Sequence, residues 1–145
     1  MKAAWPRAKR VDWGTPDAVF RPLDAEFGFT LDAAASFENS RCLNYFDEQQ
    51  DGLSADWGRH VVWCNPPYGH GVLARWVEKG RDAARRGATV VMLVPAYTAT
   101  RWWHEFTPDA EVRFVKGKIR FVGASDRAMF ASAILIFRPR EVPHA

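Results

Sequence analysis

At positions 61–71 the sequence reads VVWCNPPYGHG, an apolar run from Val61 to Cys64 that halts at Asn65 and continues as Pro66, Pro67, Tyr68 and Gly69. Consecutive prolines remove two backbone donors and fix two φ angles, so neither a strand nor a helix passes through them. The turn is rigid, and the proline carbonyls are easily left as uncommitted acceptors. The Asn65 amide oxygen and the Pro66 carbonyl can converge on one small donor, while Tyr68 offers a flat face to a ring beside it. An exocyclic amine on a planar ring fits that arrangement. Its nitrogen is a poor nucleophile, because the lone pair is delocalised into the ring. Accepting hydrogen bonds from both of its N–H groups draws the nitrogen towards tetrahedral geometry and frees the lone pair. A neutral amide is enough for this, since the amine sheds its proton readily after alkylation.

Such a turn needs elements to hold it. "GTPDAVFRPLDAEFG" predicts a helix with Thr15 as N-cap, Pro16 at the first helical position and Gly28 just past the end. Val19, Phe20, Leu23 and Phe27 form its apolar face, and Pro22 is expected to kink or split it. "FTLDAAAS" (29–36) reads as a short strand leading into a small-residue turn, and "RCLNYF" (41–46) as a second strand. After the strand ending at Cys64, "VLARWVEKGRDAARRG" (72–87) is the clearest helix, closed by Gly87. "TVVMLVPA" (89–96) is apolar throughout, as a strand buried on both faces requires. A short helix over "TATRWWHEF", one or two strands over "EVRFVKGKIRF" and a last strand at "FASAILIF" (130–137) complete the chain. Strands alternating with helices predict an α/β fold with a mostly parallel central sheet and helices on both faces.

The chain has 145 residues, enough for one domain burying about 68–70% of its unfolded surface. Residues 1–12 read as a basic mobile arm, and 13–140 as a single domain without a separate recognition module. No apolar run approaches the ~20 residues of a membrane span, and the first residues lack a signal peptide's apolar segment, so a cytoplasmic protein is expected. Cys42 and Cys64 read as reduced thiols, and His60, His70, His104 and His144 show no metal spacing, so no metal is expected. Net charge is only +3, but basic residues cluster at Lys2–Arg10, Arg81–Arg86 and Arg138–Arg140. Those clusters fit phosphate contacts and solvated faces alike.

Five segments together, "WGTP", "FGFTLDAAA", "DGL" with Trp57 following, "VWCNPPYG" and "PAYTATRWWH", resemble the phage-type (Dam-like) DNA N6-adenine methyltransferases. The resemblance runs from about Trp13 to Phe137, nearly the whole chain. It implies a Rossmann-like class I methyltransferase fold and S-adenosyl-L-methionine as cofactor. The implied partner is double-stranded DNA, whose target adenine is flipped out of the stack. Carried over residue by residue, Asn65, Pro66, Pro67 and Tyr68 hold and stack the adenine. Asp32, Ala33 and Ala34 match the first cofactor loop, where small residues let the backbone approach the methionine part, although the loop lacks the glycines usual in the superfamily. Asp51 matches the carboxylate that accepts from the cofactor's adenine amine, with Asp47 and Glu48 competing. Thr15 and Pro16 resemble the segment near the cofactor's carboxylate. Glu38 and Asn39 are the candidates for the ribose, and Trp102, Trp103 and His104 either line the site or fill the core. NPPY also serves methyltransferases of glutamine side chains and of guanine N2 in RNA, and a nucleic-acid-binding relative without catalysis is the alternative of a different class.

Overall fold

The apolar runs at 61–64 and 89–95 lie side by side at the centre of a five-stranded sheet in the computed structural model, which describes residues 14–36 and 38–140. The expected basic arm over 1–12 lies outside the described residues. In chain order the elements are α1 (Asp17–Phe27), β1 (Leu31–Asp32), β2 (Val61–Cys64), α2 (Val72–Arg85), β3 (Thr89–Pro95), α3 (Arg101–Phe106), a 3-10 turn (Thr107–Asp109), β4 (Glu111–Phe114) and β5 (Ser132–Phe137).

The strand order is β1-β2-β3-β5-β4. β1, β2 and β3 pair in parallel, with Leu31 opposite Val62 and Val62 opposite Val90. β5 runs antiparallel to both β3 and β4. The sheet is therefore mixed, which corrects the expectation of a mostly parallel one. β5 is buried on both faces, and an all-apolar strand carries the same pattern in either direction.

Alternation along the strands separates two apolar layers. Val62, Cys64, Val90, Met92, Leu135 and Phe137 face α2 and α3, meeting Leu73, Trp76, Val77, Trp103 and Phe106. Trp63, Val91, Leu93, Ile134 and Ile136 face the other way, towards Phe20 and Leu23 of α1 and towards Ile119 and Phe121. Helices thus cover both faces. Gly80 of α2 rests on β3 so closely that a Cβ there would come 2.7 Å from the Met92 sulfur.

Local details differ from the sequence reading in four places. The N-cap of α1 is Pro16 rather than Thr15, and no side chain caps the helix. Pro22 neither splits nor ends it, because both Pro22 and Ala18, whose carbonyl loses its helical donor, face solvent. The strand expected over 29–36 keeps only Leu31 and Asp32, and residues 41–46 form no strand of their own. They do run beside β1, since the Asp32 N–H donates to the Asn44 carbonyl and the Phe46 N–H to the Asp32 carbonyl. Leu43 is fully exposed at 101% and breaks the alternation that a strand would need.

Candidate active site

β1 and β2 end side by side, and their carboxyl ends open into one cleft. Gly14, Thr15, Asp32, Ala34, Asn39, Arg41, Trp63, Asn65, Pro66, Pro67, Tyr68 and Phe121 line it. Ligands of open α/β sheets sit in this position, outside the strand ends. The cleft brings the Asp32–Ala34 loop on one wall against the NPPY turn on the other.

Asp32 is the last residue of β1 and is 3% exposed. Its carboxylate accepts the Ala34 N–H at 3.4 Å and the Arg41 N–H at 3.0 Å, so it shapes the loop that follows it. Ala33 is fully buried, and its N–H donates to the Trp63 carbonyl. The next turn leans on the same loop: a Cβ on Gly52 would sit 2.1 Å from the Ala33 carbonyl oxygen, so only glycine fits there. Asp51 does not line the cleft. Its carboxylate accepts the Leu53 N–H and the Ser54 hydroxyl, closing its own turn. Asn39 reaches the cleft, and its side-chain oxygen takes the Ser36 N–H at 2.7 Å. Glu38 and Glu48 are exposed, and neither they nor Pro16 and Asp47 line the cleft.

The NPPY turn is held from three sides. The Asn65 amide N–H donates to Thr15 Oγ1 at 3.2 Å, while the Tyr68 hydroxyl lies 3.2 Å from Asn65 Oδ1 and 3.4 Å from the Leu93 carbonyl. Burial of that hydroxyl pushes its pKa far above the ordinary tyrosine range, and the neighbouring Cys64 and Tyr97 act in the same direction. It therefore stays protonated and donates. Its ring meets Phe121 edge-on at 6.3 Å and Phe130 edge-on at 5.6 Å, and those two rings lie 6.5 Å apart, so the three form one aromatic cluster. Pro66 and Pro67 are both buried.

Thr15 thus does something other than cap a helix. It is 3% exposed, its hydroxyl receives the Asn65 amide, and its carbonyl receives the Arg41 guanidinium. Arg41 also pairs with Asp17 at 2.7 Å and lies over the Phe20 ring. Orienting Asn65 through Thr15 has a measurable consequence. Thr15→Val keeps the volume but removes the acceptor, and is expected to cost about 1 kcal/mol of stability and roughly tenfold in turnover through misplacement of the amide. Thr15→Ser restores the hydroxyl and should restore turnover, a rescue that a merely space-filling role would not give.

Sequence reading alone passed over Arg41, Phe121 and Phe130. Each meets the site across a long stretch of chain, and none carries a local signal beyond its residue type. Trp103 is a core residue, His104 is exposed with its ring bonded to the Thr98 carbonyl, and Trp102 lines a separate groove on the far side of Tyr68. Among the described residues no group of three or more His, Cys, Asp and Glu side chains is placed to hold a metal ion, and no helix is long and apolar enough to cross a membrane. Cys64 is buried and Cys42 half-buried. Burial and the nearby Asp32 and Asp24 push the Cys42 thiol up to about 12.

A family model described as DNA N-6-adenine-methyltransferase (Dam) matches this chain over residues 2–144. The chain is 35% identical over 107 residues to the DNA N-6-adenine-methyltransferase of Escherichia phage T1, covering 72% of this chain and 44% of that protein. This chain thus spans less than half the length of the T1 relative. It is 27% identical over 137 residues to the DNA N-6-adenine-methyltransferase of Haemophilus phage HP1, covering 88% of this chain and 79% of that protein.

Proposed function

As a member of the DNA N-6-adenine-methyltransferase (Dam) family, this chain, we propose, transfers a methyl group from S-adenosyl-L-methionine to adenine N6 in double-stranded DNA. The observation that carries the reading is the shared cleft, where the Asp32–Ala34 loop faces Asn65, Pro66, Pro67 and Tyr68.

The lining fits the cofactor. A carboxylate at the end of β1, followed by residues with no side chain beyond Cβ, gives an ammonium-bearing ligand a negative anchor and close access to the backbone. Asp32, Ala33 and Ala34 would hold the methionine end, with Thr15 and Pro16 behind it and Asn39 beside it. The Asp51 turn adjoins Ala33 through Gly52 and would border the adenine end, with the Asp51 carboxylate itself committed to that turn. When bound, the cofactor supplies an electrophilic methyl group on a sulfonium.

The chain's own residues do the rest. Flipping the target adenine costs a few kcal/mol of unstacking, which Tyr68 and the rings around it offset in part. Asn65 Oδ1 and the Pro66 carbonyl accept from the two N6 hydrogens. The Tyr68 hydroxyl has a second acceptor in the Leu93 carbonyl, so it can turn there when the amine takes Asn65 Oδ1. The amine so polarised would take the methyl group that the bound cofactor supplies, leaving the cofactor as the thioether, and one N6 proton would pass to water. Rate comes from positioning and amine polarisation rather than from a covalent enzyme intermediate. A cytoplasmic location follows from this reading, since the DNA and the cofactor are both there.

Expression in a host without adenine methylation, followed by long-read sequencing of its DNA, tests the reading. Modified adenines in one short sequence context are expected. Unmodified DNA from cells that contain the folded protein would reject it.

A further inference from the structure

Residues 115–131, which connect β4 to β5, form a frame with cations on its outside. Ile119 and Phe121 are buried against α1, whereas Lys118 and Arg120, which alternate with them, are exposed. The backbone is fixed: Gly14 and Val122 exchange hydrogen bonds, the Ala128 N–H donates to the Ile119 carbonyl at 2.7 Å, and the Arg120 guanidinium to the Ser125 carbonyl at 3.2 Å. The connection carries Lys116, Lys118, Arg120 and Arg127 against a single carboxylate, Asp126. None of these four cations forms an ion pair among the described residues. Several arginines elsewhere are committed, Arg85 to Asp82 and Asp109, Arg113 to Glu26 and Glu111, and Arg138 to Glu111. Arg59, Arg75, Arg86 and Arg140 form no ion pair among the described residues, but they are scattered along the chain rather than gathered on one connection. Positive charge held on a fixed frame without ion pairs suits a polyanion.

The position of the connection matters as much as its charge. Phe121 lines the cleft, and Phe130 meets Tyr68 edge-on at 5.6 Å. Between the pinned Ala128 and Phe130 stands Met129, which is 92% exposed and borders an open hollow together with Lys118, Arg120 and Arg127. A single exposed apolar side chain is ordinary on a protein surface. This one is adjacent in sequence to a ring that packs on the turn where a flipped base is proposed to sit. Proteins that distort duplex DNA insert such side chains into the opened step.

We infer that this connection is the DNA-docking surface, with Lys116, Lys118 and Arg127 on backbone phosphates and Met129 entering the stack beside the extruded adenine. The inference rests on the duplex-DNA reading above and names the part of the chain that carries it out.

The test uses the full chain and a short fluorescein-labelled DNA duplex, titrated across a range of KCl concentrations. Wild-type protein should show a slope of log K against log salt on the order of −3 to −5. The variant carrying Lys116→Ser, Lys118→Ser and Arg127→Ser should bind roughly tenfold more weakly or worse, with the slope reduced by about 3. Its affinity for S-adenosyl-L-methionine, measured by calorimetry, should be unchanged, which shows that the fold is intact. Met129→Ala should leave the salt slope unchanged but remove most of the fluorescence rise of 2-aminopurine placed at the methylated position. Wild-type affinity and slope in the triple variant would overturn the docking surface, and an undiminished 2-aminopurine signal in Met129→Ala would overturn the wedge. Both results leave the substrate reading standing. A wild-type protein that neither binds nor methylates duplex DNA would overturn that reading and this surface with it.

Discussion

Asn65→Ala is expected to lower turnover by ~10² or more while leaving the fold and the cofactor affinity nearly unchanged. The amide oxygen of Asn65 is one of the two acceptors assigned to the target amine, and polarising that amine matters most as the new bond forms. An interaction made chiefly in the transition state shows itself in kcat rather than in KM. Structural losses from the same substitution are modest. The Thr15 hydroxyl loses a donor, and the Tyr68 hydroxyl still has the Leu93 carbonyl at 3.4 Å. The protein should therefore remain folded, with the Tyr68 ring still packed against Phe121 and Phe130. Single-turnover kinetics on purified variant separates the chemical step from binding. Turnover near the wild-type value would remove Asn65 from the chemistry.

At Asp32 the substitutions Asp32→Asn and Asp32→Ala are expected to behave differently. The carboxylate holds two backbone N–H groups, those of Ala34 and Arg41, in a buried position. Alanine leaves both without their acceptor, at about 1–3 kcal/mol each, and lets the loop lining the cleft drift. Asparagine keeps an acceptor for one of them and removes the negative charge. Asp32→Ala should thus lose both stability and cofactor affinity, whereas Asp32→Asn should lose mainly affinity. Thermal shift measures the two together, because a ligand at 100 times its Kd stabilises the fold by about 2.7 kcal/mol and weaker binding shrinks that gain. Ala34→Leu, which places a bulky side chain on the cleft wall, should reduce the cofactor-induced shift as well. Wild-type shifts in all three variants would place the cofactor elsewhere on the chain.

What the sequence makes legible here follows from where the physical signal is local. β2, β3 and α2 could be read because a doubly buried strand is a continuous apolar run and an amphipathic helix repeats its pattern. The NPPY turn was readable for the same reason, since proline acts on its own backbone. Strand direction was not readable at β5, where every residue is buried and neither face differs from the other. The shortness of β1 depends on its partner, as only Leu31 and Asp32 find register with β2 before the chain turns into the alanine loop. Long-range roles were the hardest to see. Thr15 looks like an N-cap in sequence, and only the fold brings its hydroxyl to Asn65, 50 residues away. Asp51 has the residue type suited to a cofactor contact, yet its carboxylate closes its own turn.

Purified protein incubated with methyl-labelled S-adenosyl-L-methionine and an equal mixture of duplex DNA, ribosomal RNA and a peptide-chain release factor decides between the possible amines. In the proposed role, Tyr68 would stack on a purine, and a glutamine amide would offer it no ring. Digestion of the DNA to nucleosides should yield the label as N6-methyladenine, with the RNA and the release factor unlabelled and with the rate of labelling reduced by ~10² or more when Asn65→Ala replaces the wild type. Label recovered only in the release factor or only in the RNA, with unmodified adenine in the DNA, would contradict the account.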